Sequence, residues 1–373
     1  MKIISVVGAR PNFMKIKPVL TALEDRGVET VLVHTGQHPD AAMSEVFLDE
    51  LGMRPPDHLL GVGSGSHAEQ TARIMTGFEP LVDTLEPDMV VVAGDVNSTF
   101  ACAMVAAKAG PNVAHVEAGL RSRDWSMPEE INRVVTDRVS DHLLAPSEGA
   151  VDNLQGEGYR DDQIHLVGNV MVDTLLSNLD RARQRPILAE LGLTPGDYGL
   201  VTLHRPANVD SDDVLDQLMG ALEEVAADVP LLFPVHPRAH TRIHARAGSG
   251  PIRLIDPRGY LDFLALQADA GLVFTDSGGV QGETTVLGVP CLTLRDNTER
   301  PITVAEGTNV VVGRDPVRIV TAAREVLSDG VAARRPALWD GQAGQRVADV
   351  LTPGANTPNH PRPTDLPTQP ARP

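Results

Sequence analysis

The chain has 373 residues and a mass of 39.8 kDa, with 42% hydrophobic and 22% charged residues, which suits two ordinary domains and excludes a wholly disordered chain. A formal net charge of -18 and a pI near 5.0 disfavour nucleic-acid binding through a basic face, although a few placed cations and helix N-termini suffice for a small anion. No apolar run approaches the roughly 18–20 residues of a membrane span, and Met1 to Val7 read as a strand with no signal-peptide layout, so a cytoplasmic protein is expected. In chain order, Ile3–Val7, Thr30–His34, Met89–Ala93, Asn112–Val116 and His142–Ala145 read as strands. Helical patterns lie between them at Pro18–Asp25, Thr99–Ala109 and Ile131–Val139. Runs such as Val90–Val92 do not alternate, as expected of parallel strands covered on both faces.

The same grammar restarts after Gly168. Strands are expected at Gly199–Leu203, Leu231–Val235, Arg253–Ile255, Leu272–Thr275, Cys291–Leu294 and Asn309–Val312. Helices are expected at Asp212–Ala227, Tyr260–Ala268, Gly279–Leu287 and Pro316–Leu327. Arg181–Asp197 carries two prolines and reads as an entry segment to the second half. The pattern predicts an α/β protein of two Rossmann-like halves with ligands at strand carboxyl ends in the cleft between them. The tail from Thr352 to Pro373 is rich in Pro, Thr and Asn and is expected to be disordered.

The chemistry-bearing residues follow the strands. The first strand runs into Gly8-Ala9-Arg10-Pro11-Asn12-Phe13-Met14-Lys15, which lacks the dinucleotide fingerprint GxGxxG, so nicotinamide binding has no support there. Arg10 and Lys15 sit near a helix start, where the dipole disfavours cations, which favours a role toward phosphate or sugar. Asp95 follows a buried strand and reads equally as a site carboxylate or as part of a helix-capping arrangement with Val96-Asn97-Ser98-Thr99. Glu117 also lies just past a strand, and Glu129 opens a helix, where an acid is favoured in any case. Several carboxylates near one cleft suit proton abstraction and donation. His204 and His236 each follow a strand, and two such placements raise the prospect of a polar cleft. Ser277-Gly278-Gly279 turns a strand into a helix whose free N–H groups make an anion site, with Glu283 placed to accept from a ribose. Arg300 adds a cation one strand later. Cys102 and Cys291 lie in apolar contexts far apart, which fits neither a disulfide framework nor a zinc cluster. The 12 histidines form no HExxH pattern, so no metal is expected.

Together these segments resemble the non-hydrolysing UDP-N-acetylglucosamine 2-epimerases. The carrying motifs are GARPNFMK (8–15), TGQH (35–38), GD (94–95), HVEAGLRS (115–122), PEEINR (128–133) and GN (168–169). They continue with LHRPANVD (203–210), HPR (236–238), DSGGVQGE (276–283), TERP (298–301) and PALWDGQAGQRVADVL (336–351), so the resemblance spans residues 1 to about 351. It implies a GT-B-like fold with an N-terminal domain over 1–168, a UDP-binding domain over 169–341, and a helix at 342–351 packing back onto the first. It also implies inversion at C2 of UDP-N-acetylglucosamine with neither nicotinamide nor metal, in a protein that is commonly a homodimer. Asp95, Glu117 and Glu129 then match the acid/base carboxylates. His204 completes the catalytic set at the departing diphosphate, which Arg10, Ser277, Gly278 and Gly279 also hold. Glu283 takes the ribose hydroxyls, and Lys15, Arg133, His236 and Arg300 line the cleft. The rivals are a hydrolysing epimerase of the same fold, a GT-B glycosyltransferase that needs an acceptor, and a nucleotide-sugar sensor that performs no reaction. Three departures stand out: Ala207, Gly282 and Ile302 occupy positions where many relatives carry Glu. Gln37 remains, but Asp40 and the stretch Gly61–Ser66 replace longer polar side chains that serve substrate activation in several bacterial relatives. Weak or absent activation is expected.

Overall fold

The computed structural model describes residues 1–37, 48–235, 239–247, 250–331 and 334–352. His38, Asp40, the HPR segment with His236, and the tail beyond Thr352 lie outside the described residues, and of Arg10 only the backbone is described.

The expected alternation of strands and helices is present as two parallel sheets. The first contains β1 (Lys2–Val7), β2 (Glu29–His34), β3 (His58–Leu59), β4 (Met89–Ala93), β5 (Asn112–Val116), β6 (His142–Ala145) and β7 (Ile164–Leu166). Their order is β3-β2-β1-β4-β5-β6-β7. The second contains β8 (Gly199–Thr202), β9 (Leu231–Pro234), β10 (Ile252–Ile255), β11 (Leu272–Thr275), β12 (Cys291–Thr293) and β13 (Asn309–Val311), in the order β10-β9-β8-β11-β12-β13. Both are doubly wound. The strand order reverses between β1 and β4 in the first sheet and between β8 and β11 in the second, which makes those two places the crevices for ligands. The central strands are apolar throughout because helices cover both faces; every residue of β4 is buried.

In the first half the helices are α1 (Arg10–Asp25), α2 (His67–Leu85), α3 (Asn97–Ala109), α4 (Pro128–Val139) and α5 (Glu148–Gly156). The crossing is made by α6 (Val170–Arg183) and α7 (Ile187–Leu191). The second half carries α8 (Pro206–Val209), α9 (Asp212–Val225), α10 (His240–Ala247), α11 (Tyr260–Ala268), α12 (Gly278–Leu287), α13 (Ile302–Ala305) and α14 (Pro316–Asp329), and α15 (Ala343–Leu351) closes the fold.

Two sequence expectations need correction. The first helix starts at Arg10, not at Pro18, which lies inside it. Proline suits a helix start because it lacks an N–H, and inside a helix it orphans the carbonyl four residues earlier. That carbonyl belongs to Met14, and Thr174 of α6 donates its hydroxyl to it at 2.6 Å. The segment Arg181–Asp197 is also more than an entry strip, since α6 runs to Arg183 and α7 follows. Helix α2 escaped the sequence reading although Ser66 and Glu69 form a reciprocal capping box.

Helix α6 joins the halves. One apolar cluster includes Ile3 and Val7 of β1, Phe13 of α1, Leu175 of α6, Leu264 of α11 and Val347 of α15, so both halves share a core. Asp173 of α6 accepts from the Ala343 and Gly344 amides at 3.1 and 2.7 Å and caps α15. Helix α15 lies against α1, where Arg26, the residue after α1, bonds to Gln345 and Asp349. Gly344 is needed there, because a Cβ would collide with Pro18.

Candidate active site

The carboxyl ends at both switch points face a common open cleft of about 1260 Å³. That exceeds the roughly 300–1,000 Å³ of ordinary small-molecule pockets and leaves room for a large ligand. Lys15, Asp95, Glu129 and Arg133 line it from the first half, and His204, Ser277, Gly278, Gly279, Glu283 and Arg300 from the second.

On the first side, the β1 and β4 turns are locked together. Asn12 accepts from the Gly8 and Ala9 amides at 3.2 and 2.9 Å and donates to the Ala93 carbonyl at 2.8 Å. Gly8 lets the turn approach α3, since a Cβ would collide with Ser98. One turn along α1, Lys15 reaches over Gly94, where a Cβ would lie 2.5 Å from Nζ. Lys15 pairs with Glu117, and Arg300 from the opposite half donates to the same carboxylate at 2.8 Å. Glu117 is 4% exposed and has φ of 70°, a left-handed backbone that costs a branched or long residue about 1–3 kcal/mol. Burial works to raise the Glu117 carboxyl, but Lys15 and Arg300 outweigh it and hold it at about 2.

Asp95 keeps 29% of its side chain open to the cleft and pairs with Arg133 of α4. Burial again opposes ionisation there, and Arg133 with Lys15 overcomes it, leaving the carboxyl at about 2. Arg133 also pairs with Glu130. Glu130 anchors the loop before α4 by accepting from the Ser122 and Arg123 amides at 2.9 and 2.8 Å. Glu129, its neighbour in sequence, faces the cleft instead.

The second side is built differently. Helix α12 begins at Gly278, and the Ser277 hydroxyl at its N-cap caps nothing, so the first N–H groups of α12 have no side-chain cap. Gly278 is required, because a Cβ would collide with the Glu299 carboxylate. His204 is fixed by Asp276, which takes its Nδ1 at 2.9 Å and also accepts from the Arg205 amide at 2.9 Å and from Asn208 at 3.1 Å. Burial tends to raise the Asp276 carboxyl, and the bonds from His204 and Arg205 carry it below its usual range. Glu283 faces the opposite balance. Burial dominates, Gln267 and Arg300 offset it only in part, and its carboxyl rises to about 7. Arg300 has a buried Nε without a hydrogen-bond partner among the described residues, a cation with a donor to spare.

The structure therefore brings together Lys15, Asp95, Glu117, Glu129, Arg133, His204, Ser277, Gly278, Gly279, Glu283 and Arg300. Asn12, Glu130 and Asp276 belong to the supporting frame and were not singled out from sequence. Glu130 and Arg133 sit at i, i+3 on one helix, a spacing that was readable. Asp276 was not, because its partners come from the loop after β8 and from α8. Gln37 of the TGQH motif turns inward and accepts from the Ser98 amide and hydroxyl at 3.2 and 2.7 Å. Among the described residues, no group of three or more His, Cys, Asp and Glu side chains is placed to hold a metal, and no helix is long and apolar enough to cross a membrane.

Comparison with known proteins gives the family. A family model described as UDP-N-acetylglucosamine 2-epimerase matches residues 21–352. The UDP-N-acetylglucosamine 2-epimerase of Methanocaldococcus jannaschii is 40% identical, over 95% of this chain and 100% of that protein. The UDP-2,3-diacetamido-2,3-dideoxy-D-glucuronate 2-epimerase of Pseudomonas aeruginosa is 41% identical, over 94% of this chain and 99% of that protein. The solved structure of the M. jannaschii enzyme in complex with UDP-GlcNAc and UDP superposes with a TM-score of 0.89 at 41% identity, covering 95% of this chain and 100% of that one. Two doubly wound sheets, a shared cleft and these matches over nearly the whole chain lead to one conclusion: the protein is an enzyme of the UDP-N-acetylglucosamine 2-epimerase family, an isomerase.

Proposed function

We propose that the protein interconverts UDP-N-acetylglucosamine and UDP-N-acetylmannosamine by a non-hydrolysing route. The observation that carries this reading is the pairing of ionised carboxylates, Asp95 and Glu117, with an anion cradle across one cleft. The sugar C2 proton has no carbonyl beside it on the carbon chain, so direct abstraction to an enolate is not open. Elimination is the alternative. A base takes the C2 proton, the C2–H electrons form the C1=C2 bond, and the C1–O bond breaks toward UDP. A UDP oxygen then re-adds to C1 while an acid delivers a proton to the other face of C2. This needs a base, an acid and a firm hold on the departing diphosphate.

The residues divide accordingly. Asp95, Glu117 and Glu129 carry the proton transfers. Carboxyls held near 2 are ionised at neutral pH and become effective bases only as their cation partners are drawn away. A diphosphate that draws Arg300 or Lys15 toward itself weakens their grip on Glu117 and lets it hold a proton. His204, Arg10 and the Ser277–Gly279 amides hold the diphosphate, Glu283 takes the ribose hydroxyls, Lys15, Arg133 and Arg300 complete the cleft wall, and the family resemblance assigns His236 a part in substrate binding. Residues 1–168 with 342–351 form one domain and 169–341 the other, and their closure retains the glycal. The working form is a cytoplasmic homodimer, to be checked by light scattering of the purified protein.

The similarity to the P. aeruginosa protein favours a second reading, in which the sugar is a UDP-2,3-diacetamido-hexuronate. Proton NMR in deuterated water distinguishes them. UDP-N-acetylmannosamine carrying deuterium at C2 supports the first reading. Free UDP with N-acetylmannosamine replaces it with the hydrolysing route. An unchanged UDP-N-acetylglucosamine spectrum alongside turnover of the diacetamido uronate establishes the second.

A further inference from the structure

Beneath the carboxylates lies a buried pair that does not line the cleft. His115 is on β5, in register with Val92 of β4, and is 0% exposed. Its Nε2 lies 2.8 Å from the Gly94 carbonyl, and its Nδ1 lies 2.6 Å from Oδ1 of Asp137 on α4. Both partners are acceptors. The other oxygen of Asp137 accepts from the Gly119 amide at 3.1 Å and from Arg121 at 2.7 Å, and Arg121 continues to Glu157 at 2.7 Å. Burial alone would raise the Asp137 carboxyl, and His115 with Arg121 reverses the shift, so it is ionised.

The two ends of this chain of bonds fall beside the reacting groups. Gly94 precedes Asp95, and its amide already donates to the Val116 carbonyl at 3.0 Å, so His115 engages the other backbone polar group of that residue, the carbonyl of the peptide that leads into Asp95. Gly119 follows Glu117 by two residues. Both glycines sit at positive φ, 71° and 80°, in turns whose direction their own backbone preferences leave open. We infer that His115 and Asp137 are positioning residues that set the spacing between the Asp95 and Glu117 loops through the Gly94 carbonyl and the Gly119 amide. This role rests on the proposed proton-transfer function of those carboxylates. A merely structural pair would stabilise the fold without governing the geometry of either loop.

Two substitutions separate the roles. In His115→Gln the amide nitrogen falls where Nε2 stood and keeps the bond to Gly94. In His115→Asn it falls where Nδ1 stood, keeps Asp137 and releases Gly94. With UDP-N-acetylglucosamine as substrate, H115N is expected to lose about a hundredfold in kcat, with KM and UDP affinity within about twofold of wild type. H115Q is expected to stay within about tenfold of wild type. Amide hydrogen exchange of the peptide spanning 93–98 should quicken in H115N and not in H115Q. Wild-type kcat in H115N, or equal losses in both variants accompanied by loss of UDP binding, would overturn the inference. The exchange measurement needs no substrate. If wild-type protein fails to turn over, the functional proposal fails, and equal exchange in the two variants still refutes the positioning role separately.

Discussion

The two walls of the cleft use different chemistry. The wall from the first sheet is ionic: Asp95 and Glu117 are held by Lys15, Arg133 and Arg300. The wall from the second adds backbone to its charges: a glycine turn, the uncapped start of α12 and a histidine braced by Asp276 stand beside Arg205, Arg295 and Glu299. Paired charges suit a group that must gain and lose a proton, since their balance moves when a ligand rearranges the cations. Fixed amides suit a diphosphate whose charge stays negative throughout. One carboxylate also stands apart in pH. Asp95 and Glu117 of the first wall sit below their ordinary values, as do Asp276 and Glu299 of the second, and Glu283 alone of these five sits above its own.

The largest test of this division is Asp95→Asn. It should lower kcat by about 10²–10⁴-fold while leaving UDP affinity within about twofold, as read by steady-state kinetics and calorimetry. Loss of UDP binding to the same extent would erase the distinction between the walls. Next in size is Gly278→Ala, which forces Glu299 to move at the mouth of the cradle. The expected result is roughly a 10- to 100-fold weaker UDP complex, with a smaller change in kcat. An unaltered dissociation constant would place the diphosphate elsewhere.

The pH contrast gives a third test, through Glu283→Gln. The wild-type carboxyl titrates at about 7 when folded against an ordinary 4.5. The folded state therefore keeps a proton that the unfolded chain has released, and stability falls as pH rises from 4.5 to 7. The gap corresponds to about 3 kcal/mol. Denaturant melts of E283Q and wild type should nearly coincide at pH 4.5 and diverge in favour of Gln by pH 8. Asp95 and Glu117 act with the opposite sign. Their contribution is complete above about 4.5 and is lost as pH falls toward 2, so both variants should weaken together in that lower range. The smallest effect is in the shape of the saturation curve. Gln37 is engaged by Ser98, and short residues fill 61–66, so initial rates in UDP-N-acetylglucosamine should be hyperbolic. Strong sigmoidality would show a second substrate site.

Local pattern determined much of this protein. Buried strands, βαβ alternation and the Ser277-Gly278-Gly279 turn are short-range features, and each is readable because hydrophobic period and turn chemistry act within a few residues. Motif order likewise carried the family, and with it the identity of the cleft residues. Tertiary structure decided what lies between. Pro18 reads as a helix start until Thr174, far along the chain, satisfies the carbonyl that the proline orphaned. Asp95 reads equally as a cap or a cleft carboxylate until Arg133 and Lys15 arrive from two helices and hold it ionised at the cleft. The ionisation of Glu117 depends on Arg300, 183 residues away, and that of Glu283 on the mass packed around it. Charge balance in a buried site is a sum over neighbours in space, and chain order alone leaves those neighbours unspecified.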